Sequence, residues 1–158
     1  MAQITRCIDI DLPPQQVFDY VVDFRNSLKY MPNFTKFEAH GLVQRGLGAQ
    51  AEAQGHFLGV NIKTVLEITE FEEGQRLVSR STQGVKSISI WEFRALPTGG
   101  TEISFTSEYS MPGRMLGWML DKMLVEKDVE KTLVQTLVNL KKVLEDKPNL
   151  RIASRSSW

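Results

Sequence analysis

Apolar and polar positions alternate along "QITRCIDID", residues 3–11, with Ile4, Arg6, Ile8 and Ile10 on one side and Thr5, Cys7 and Asp9 on the other. A period of two predicts a strand. Pro13-Pro14 ends it and opens a helix, since a proline at a first helical position gives up only an N–H that would lack a partner there. Val17, Phe18, Tyr20, Val21 and Val22 supply that helix with an apolar stripe. "DFRNSLKYMP", residues 23–32, predicts a second, shorter helix that Pro32 terminates.

From Phe34 the period returns to two. "FTKFEAHGL" is followed by a segment in which Ala49, Ala51, Ala53, Gly55 and Phe57 alternate with Gln50, Glu52, Gln54 and His56. "VNIKTVLEITEFEEG" sets Val60, Ile62, Thr64, Leu66 and Ile68 against Asn61, Lys63 and Glu67. Glu73-Gly74, Gln83-Gly84 and Thr98-Gly99-Gly100 then punctuate "QRLVSRST", "KSISIWEFRAL" and "TEISFTSEYS" at hairpin spacing. With the first strand, these predict a seven-stranded antiparallel sheet. Beyond Pro112-Gly113, residues 114–145 read as one long helix. Its stripe runs through Met115, Met119, Met123, Glu126, Val129 or Glu130, Leu133, Leu137, Leu140 and Leu144.

The order strand, two short helices, six strands, long helix predicts an α+β fold. A strongly curved sheet wraps the C-terminal helix, and the short helices close one end while standing outside the main packing. A curved sheet cannot follow a straight helix along its whole length, so space between them becomes a cavity. Residues 1–147 are expected to form one ligand-binding domain and residues 148–158 a tail.

Composition narrows the class. In 158 residues, Lys and Arg number 19 against 19 Asp and Glu, and with a pI near 6.7 no net field gathers nucleic acid or an anionic membrane. No stretch of about 18 apolar residues occurs, so no integral membrane segment is expected, and with no secretory leader pattern the chain is expected to be cytoplasmic. Cys7 has no partner for an internal disulfide and is read as a buried free thiol.

Candidate chemistry is sparse. The two histidines, His40 and His56, share parity with polar neighbours and are expected to face water. No HExxH, CxxC, phosphate-loop or Gly-x-Ser-x-Gly pattern is present, so neither a metal nor a cofactor is expected.

Three stretches carry a family likeness: "IDLPPQQVFDYVVDFRNSLKYMPNF", "WEFRALPTGGTEISFTSEYSMPG" and "LVEKDVEKTLVQTLVNLKKVLE". They resemble the opening strand-helix-helix passage, last hairpin and closing helix of the SRPBCC or START-like superfamily, which has the helix-grip fold. That superfamily includes polyketide cyclases and dehydrases and coenzyme Q-binding proteins. The resemblance implies a hydrophobic-ligand cavity between sheet and helix. One departure concerns the turn at Tyr30-Met31-Pro32, where many relatives of the cyclase branch carry a Trp or second aromatic and this chain continues with Asn33-Phe34.

Strand parity supplies the expected lining. Ala53, Phe57, Ile62, Thr64, Leu66, Leu77, Ser79, Ser81, Ser89, Trp91, Phe93, Phe105, Ser107 and Tyr109 point inward, Met115, Met119 and Met123 join them from the helix, and Tyr30, Met31 and Phe34 border the mouth. Serines at inward positions leave room and offer hydrogen bonds, the composition of a ligand pocket; near strand ends they would instead bond backbone. The first reading is therefore a carrier or sensor of a small hydrophobic molecule such as a lipid, quinone or polyketide. A second is a cofactor-independent cyclase or dehydratase using Tyr109, Glu126 or Arg114, with Arg80 available only if its strand had the opposite parity. A third is a protein-interaction domain of the same fold with a self-filled cavity. Ligand identity and oligomeric state stay open in the pattern.

Overall fold

The computed structural model describes residues 2–110 and 122–146. β1 (Ala2–Ile10) is followed by α1 (Pro14–Val22) and a 3₁₀ helix (Phe24–Lys29). Next come β2 (Phe34–His40), β3 (Gln50–Phe57), β4 (Val60–Glu72), β5 (Arg76–Gln83), β6 (Lys86–Ala95) and β7 (Thr101–Ser110). α2 (Lys122–Glu145) completes the described chain. Met115, Met119, Arg114 and the expected tail lie outside the described residues.

The seven strands form one antiparallel sheet in the order β1-β7-β6-β5-β4-β3-β2. Hairpins join β2 through β7, whereas β1 reaches the far edge by way of the two helices. The concave face of the sheet receives α2, whose buried side chains are Val125, Val129, Leu133, Thr136, Leu137, Leu140 and Leu144. Asn139 Nδ2 donates to the Tyr30 carbonyl at 3.2 Å and Lys141 Nζ to that of Asp9 at 2.6 Å. These bonds fix the last turns of α2 against the 3₁₀ helix and the end of β1.

Two expectations change here. α1 belongs to the main core: Val17, Phe18, Val21 and Val22 cluster with Ile10, Phe93, Ile103, Leu140 and Leu144. A five-residue apolar face on a nine-residue helix is too large to leave at an end cap. Cys7 is exposed, because β1 directs its odd-numbered side chains to the outer face of the sheet and its even-numbered ones to α2.

Of three register shifts, one of them between Val65 and Leu66 where β4 meets β5, two re-aim side chains. The pairing of β2 slips between Phe34 and Lys36, and that of β4 between Ile68 and Glu70. An inserted residue reverses the parity beyond it. Phe34 and Phe37, three apart, therefore pack edge to face at 5.6 Å, and Ile68 and Phe71 both join the core.

Two backbone details bound the hollow part of the sheet. Gly55 must lack a side chain, since a Cβ would collide with the carbonyl of Asn33, which accepts the His56 N–H at 2.9 Å. The chain leaving the 3₁₀ helix is thereby laid against β3. At the β3–β4 turn Leu58 has φ of 49°, a left-handed conformation costly for any side chain with a Cβ. It packs beside Tyr109, Val125 and Val129.

Candidate functional site

A cavity of about 190 Å³ separates the sheet from α2. Val129, Thr132, Leu133 and Thr136 line it from the helix; Phe24, Ser27, Tyr30 and Met31 close one side. The sheet wall is ordered in rows, because antiparallel partners stand directly opposite on one face. Leu77, Trp91 and Phe105 make an apolar row, in which the two rings stack at 3.8 Å and 9°. Ser79, Ser89 and Ser107 make the next. Ser87 stands opposite Tyr109 in the one after.

Most of the expected lining is brought together: Tyr30, Phe34, Phe57, Thr64, Leu66, Ser89, Trp91, Phe105, Ser107 and Tyr109 all face this cavity, as do Ile62, Leu77 and Ser79. Tyr30 is wall rather than rim. It is 1% exposed, its ring meets Trp91 at 90°, and its hydroxyl donates to the Val21 carbonyl at 3.4 Å. Burial pushes its pKa well above the ordinary phenol value.

Four expected positions fall elsewhere. Ala53 is buried with Ala51 and Phe37 in a small cluster of its own. Ser81 Oγ accepts the Ser87 N–H at 2.9 Å where β5 and β6 part, so it serves the backbone. Phe93 points inward as expected but fills solid core, its ring edge to face with Phe18 at 5.2 Å between centroids. Met123 is 60% exposed, beside Glu126 in a surface groove against β1. The phase of α2 explains this: Leu133, Leu137, Leu140 and Leu144 extend back through Val129 to Val125, which puts Met123 and Glu126 on the flank. Arg80 is exposed, on the outer side of β5.

Missed by strand parity were Phe37, turned in by the bulge, and Thr132 and Thr136, whose polarity hid them from an apolar stripe. Spacing was the available signal for the threonines. Thr132 follows Val129 by three, and Thr136 follows Leu133 by three and precedes Leu140 by four.

The polar groups divide into two kinds. Thr64 Oγ1 donates to the Gln83 carbonyl at 2.9 Å and Thr136 Oγ1 to that of Thr132 at 2.7 Å. Among the described residues, the hydroxyls of Ser79, Ser89 and Ser107 make no hydrogen bond. Tyr109 Oη is enclosed and also lacks a partner among the described residues. Burial first, and then the charge of Glu126, raises its pKa above the ordinary phenol value. It stays protonated at neutral pH, and its oxygen has almost no accessible surface, so the ring rather than the hydroxyl forms the cavity wall. No group of three or more His, Cys, Asp or Glu that could hold a metal ion occurs among the described residues. No described helix is long and apolar enough to cross a membrane.

The family model described as polyketide cyclase / dehydrase and lipid transport matches residues 1–145. No curated protein matches. Among solved structures, TTHA0849 from Thermus thermophilus aligns with a TM-score of 0.77 at 19% identity, covering 89% of this chain and 95% of that one. A START superfamily protein from Mycobacterium smegmatis aligns at 0.74 and 14% identity, covering 91% and 97%. The di-domain ARO/CYC BexL from the BE-7585A biosynthetic pathway aligns at 0.73 and 19% identity, covering 93% of this chain and 51% of that one. At these identities the likeness shows the helix-grip fold.

Proposed function

The chain belongs to the polyketide cyclase / dehydrase and lipid transport family, and from that premise we propose that it binds a small hydrophobic ligand in the cavity between the sheet and α2. The observation that carries this reading is the open space of about 190 Å³, walled by Trp91, Phe105, Leu66 and Leu133 and furnished with unengaged hydroxyls. A sheet built only for packing fills such inward positions with large aliphatics. Apolar walls with a few polar groups are the usual composition of a ligand site. The volume lies below the roughly 300–1,000 Å³ of pockets for drug-sized compounds, which favours a ligand of one ring or a short chain. The same open space counts against a protein-interaction role with a self-filled cavity.

The test is to purify the protein from its native host, extract it under denaturing conditions and identify bound compounds by mass spectrometry, with a lipid and quinone panel offered to the emptied protein. A stoichiometric apolar compound is the expected result. An empty protein that also takes up nothing from the panel would overturn the reading.

A second reading, proton transfer to the held molecule by a cyclase or dehydratase, would call on Tyr109, whose ring lines the cavity and whose raised pKa keeps its hydroxyl protonated. A general acid must carry its proton at the working pH and come within hydrogen-bond reach of the reacting atom, so the side chain would have to turn toward the cavity. Unchanged turnover in Tyr109→Phe, with ligand binding retained, would remove it from any such role.

A further inference from the structure

β1 stands at an edge of the sheet, with β7 on one side and, among the described residues, no strand on the other. An antiparallel ladder sends the N–H and C=O of every second residue outward. In β1 these are the odd-numbered residues: the Thr5 and Asp9 carbonyls accept from Arg6 Nη1 and Lys141 Nζ, each at 2.6 Å, away from β7. A carbonyl has two lone pairs, so each can take a second bond. The N–H groups of Thr5, Cys7 and Asp9 point the same way. Nine residues of such an edge are a template for another strand.

The helix α2 makes this edge one wall of a groove. It runs in the same direction as β1: Glu130 pairs with Arg6 at 2.7 Å, Lys141 reaches Asp9, and Glu145 accepts the Asp11 N–H at 3.2 Å. Val134 is four residues past Glu130 and seven before Lys141, and Met123 is seven before Glu130, so both share that flank. They are 41% and 60% exposed. Between Gln3–Arg6 and Met123–Glu130 the groove encloses about 320 Å³.

Because α2 ends beside Asp11, the chain that leaves it starts at the far end of β1 and can return along the edge. Residues 147–158 lie outside the described residues, and their sequence carries the matching pattern. Leu150 and Ile152 alternate with Arg151 and Ala153, no proline follows Pro148 to remove a donor, and Leu150 to Trp158 number nine, as β1 does. Residues 146–149 span up to roughly 13 Å, enough for the reversal. Laid antiparallel with Ala153 opposite Cys7, the segment sets Arg151 against Asp9 on the outer face. On the inner face Ile152 comes beside Ile8 and Val134, and Trp158 reaches the groove at Met123.

We propose that residues 150–158 dock on the open edge of β1 as an eighth, antiparallel strand, in the register that faces Ala153 to Cys7. Backbone bonds supply the affinity, as in other strand additions. The apolar contact with Val134 and the charge pair with Asp9 fix the register. This docking is independent of any ligand in the cavity.

The experiment adds one cysteine to the tail of the full chain and joins it to Cys7 with a short bimane reagent that fluoresces once both of its arms have reacted. Dilute protein keeps the reaction within one chain, and mass separates any dimer. Ala153→Cys is expected to bridge about tenfold faster than Ser154→Cys, which faces the other side, or Ser157→Cys, four residues along, because docking raises its effective concentration. Adding Ile152→Asp is expected to remove that advantage. In the unaltered chain, the amide protons of Thr5, Cys7 and Asp9 are expected to exchange about tenfold slower than in Ile152→Asp.

Equal bridging at the three positions, or any other order among them, would overturn the proposal, as would an advantage that survives Ile152→Asp. Dimers linked through Cys7 in the unaltered chain would overturn it too, by giving the edge to a second copy. Fast exchange at Thr5, Cys7 and Asp9 in the unaltered chain would do so without recourse to any variant.

Discussion

Where β1 runs into α1, Phe18 is completely enclosed and meets the rings of Phe71 and Phe93 edge to face at 5.3 and 5.2 Å, with Leu140 and Leu144 in the same cluster. A few rows along the same strands, Ser79, Ser89 and Ser107 face Val129, Thr132 and Thr136 across open space. One sheet and one helix build both regions. The difference is side-chain volume at equivalent inward positions, and it divides the labour: the filled end holds the fold together, and the open end is free to serve a ligand.

The sharpest way to break this contrast is to delete volume from the filled end. Phe18→Ala is expected to cost about 3–5 kcal/mol, read as a lower urea midpoint with an unchanged slope. Adding volume at the open end should act in the other direction. Ser89→Leu is expected to leave stability unchanged or raise it by up to about 2 kcal/mol, while abolishing uptake of propylbenzene. If Ser89→Leu instead unfolded the chain as Phe18→Ala does, the two ends would not differ in the way described.

Tyr30 sits on the border between them and tests it by pH. Its hydroxyl bond to Val21 is long, so Tyr30→Phe is expected to cost about 1 kcal/mol at neutral pH. Burial raises its pKa in the folded state, and the unfolded phenol titrates near its ordinary value of 10.0. Stability is thus fully present below about pH 10 and falls above it, as the unfolded chain releases its proton first. Tyr20 and Tyr109 shift in the same direction. Tyr30→Phe should therefore flatten the alkaline loss without removing it, as measured by urea unfolding at roughly pH 9 to 11.

The smallest effect belongs to the rim of the filled end. Arg45 pairs with Asp19 at 2.9 Å and Glu73 at 2.7 Å and lies over the Phe71 ring at 5.2 Å. All three charges are about half exposed, where ion pairs contribute little. Arg45→Ala should lower Tm by about 2 °C or less at low salt, with a smaller difference in concentrated salt.

Much of this contrast was legible in the sequence. The change of period at Phe34 and again beyond Pro112 marks the sheet and the long helix, and parity alone places Ser89, Trp91, Phe105, Ser107 and Tyr109 on one wall. What escaped has physical causes. Bulges near Thr35 and Thr69 turn Phe37 and Phe71 inward, and no local pattern announces an extra residue in a ladder. Ser81 has the right parity, yet β6 has already left it, so its oxygen is taken by the Ser87 N–H. The phase of a helix is set by the side chains it must bury. Here the leucines of the last turns outweigh Met123, and it and Glu126 are carried to the flank.

The leucine at the β3–β4 turn is kept by its packing against the preference of its own backbone. A two-residue hairpin turn of this kind favours Asn before Gly, yet this chain keeps Leu58 there, resting its side chain beside Tyr109 and Val129. Its left-handed backbone costs about 1–2 kcal/mol, so local geometry and the neighbouring wall make opposed demands on one residue. Leu58→Asn would satisfy the first at the expense of the second, relaxing the turn and withdrawing an apolar contact from Tyr109 and Val129. A turn that keeps the less favourable residue is tuned by the neighbour it leans on, so the two strands and the start of α2 must be read as one joint, at a distance from the filled end.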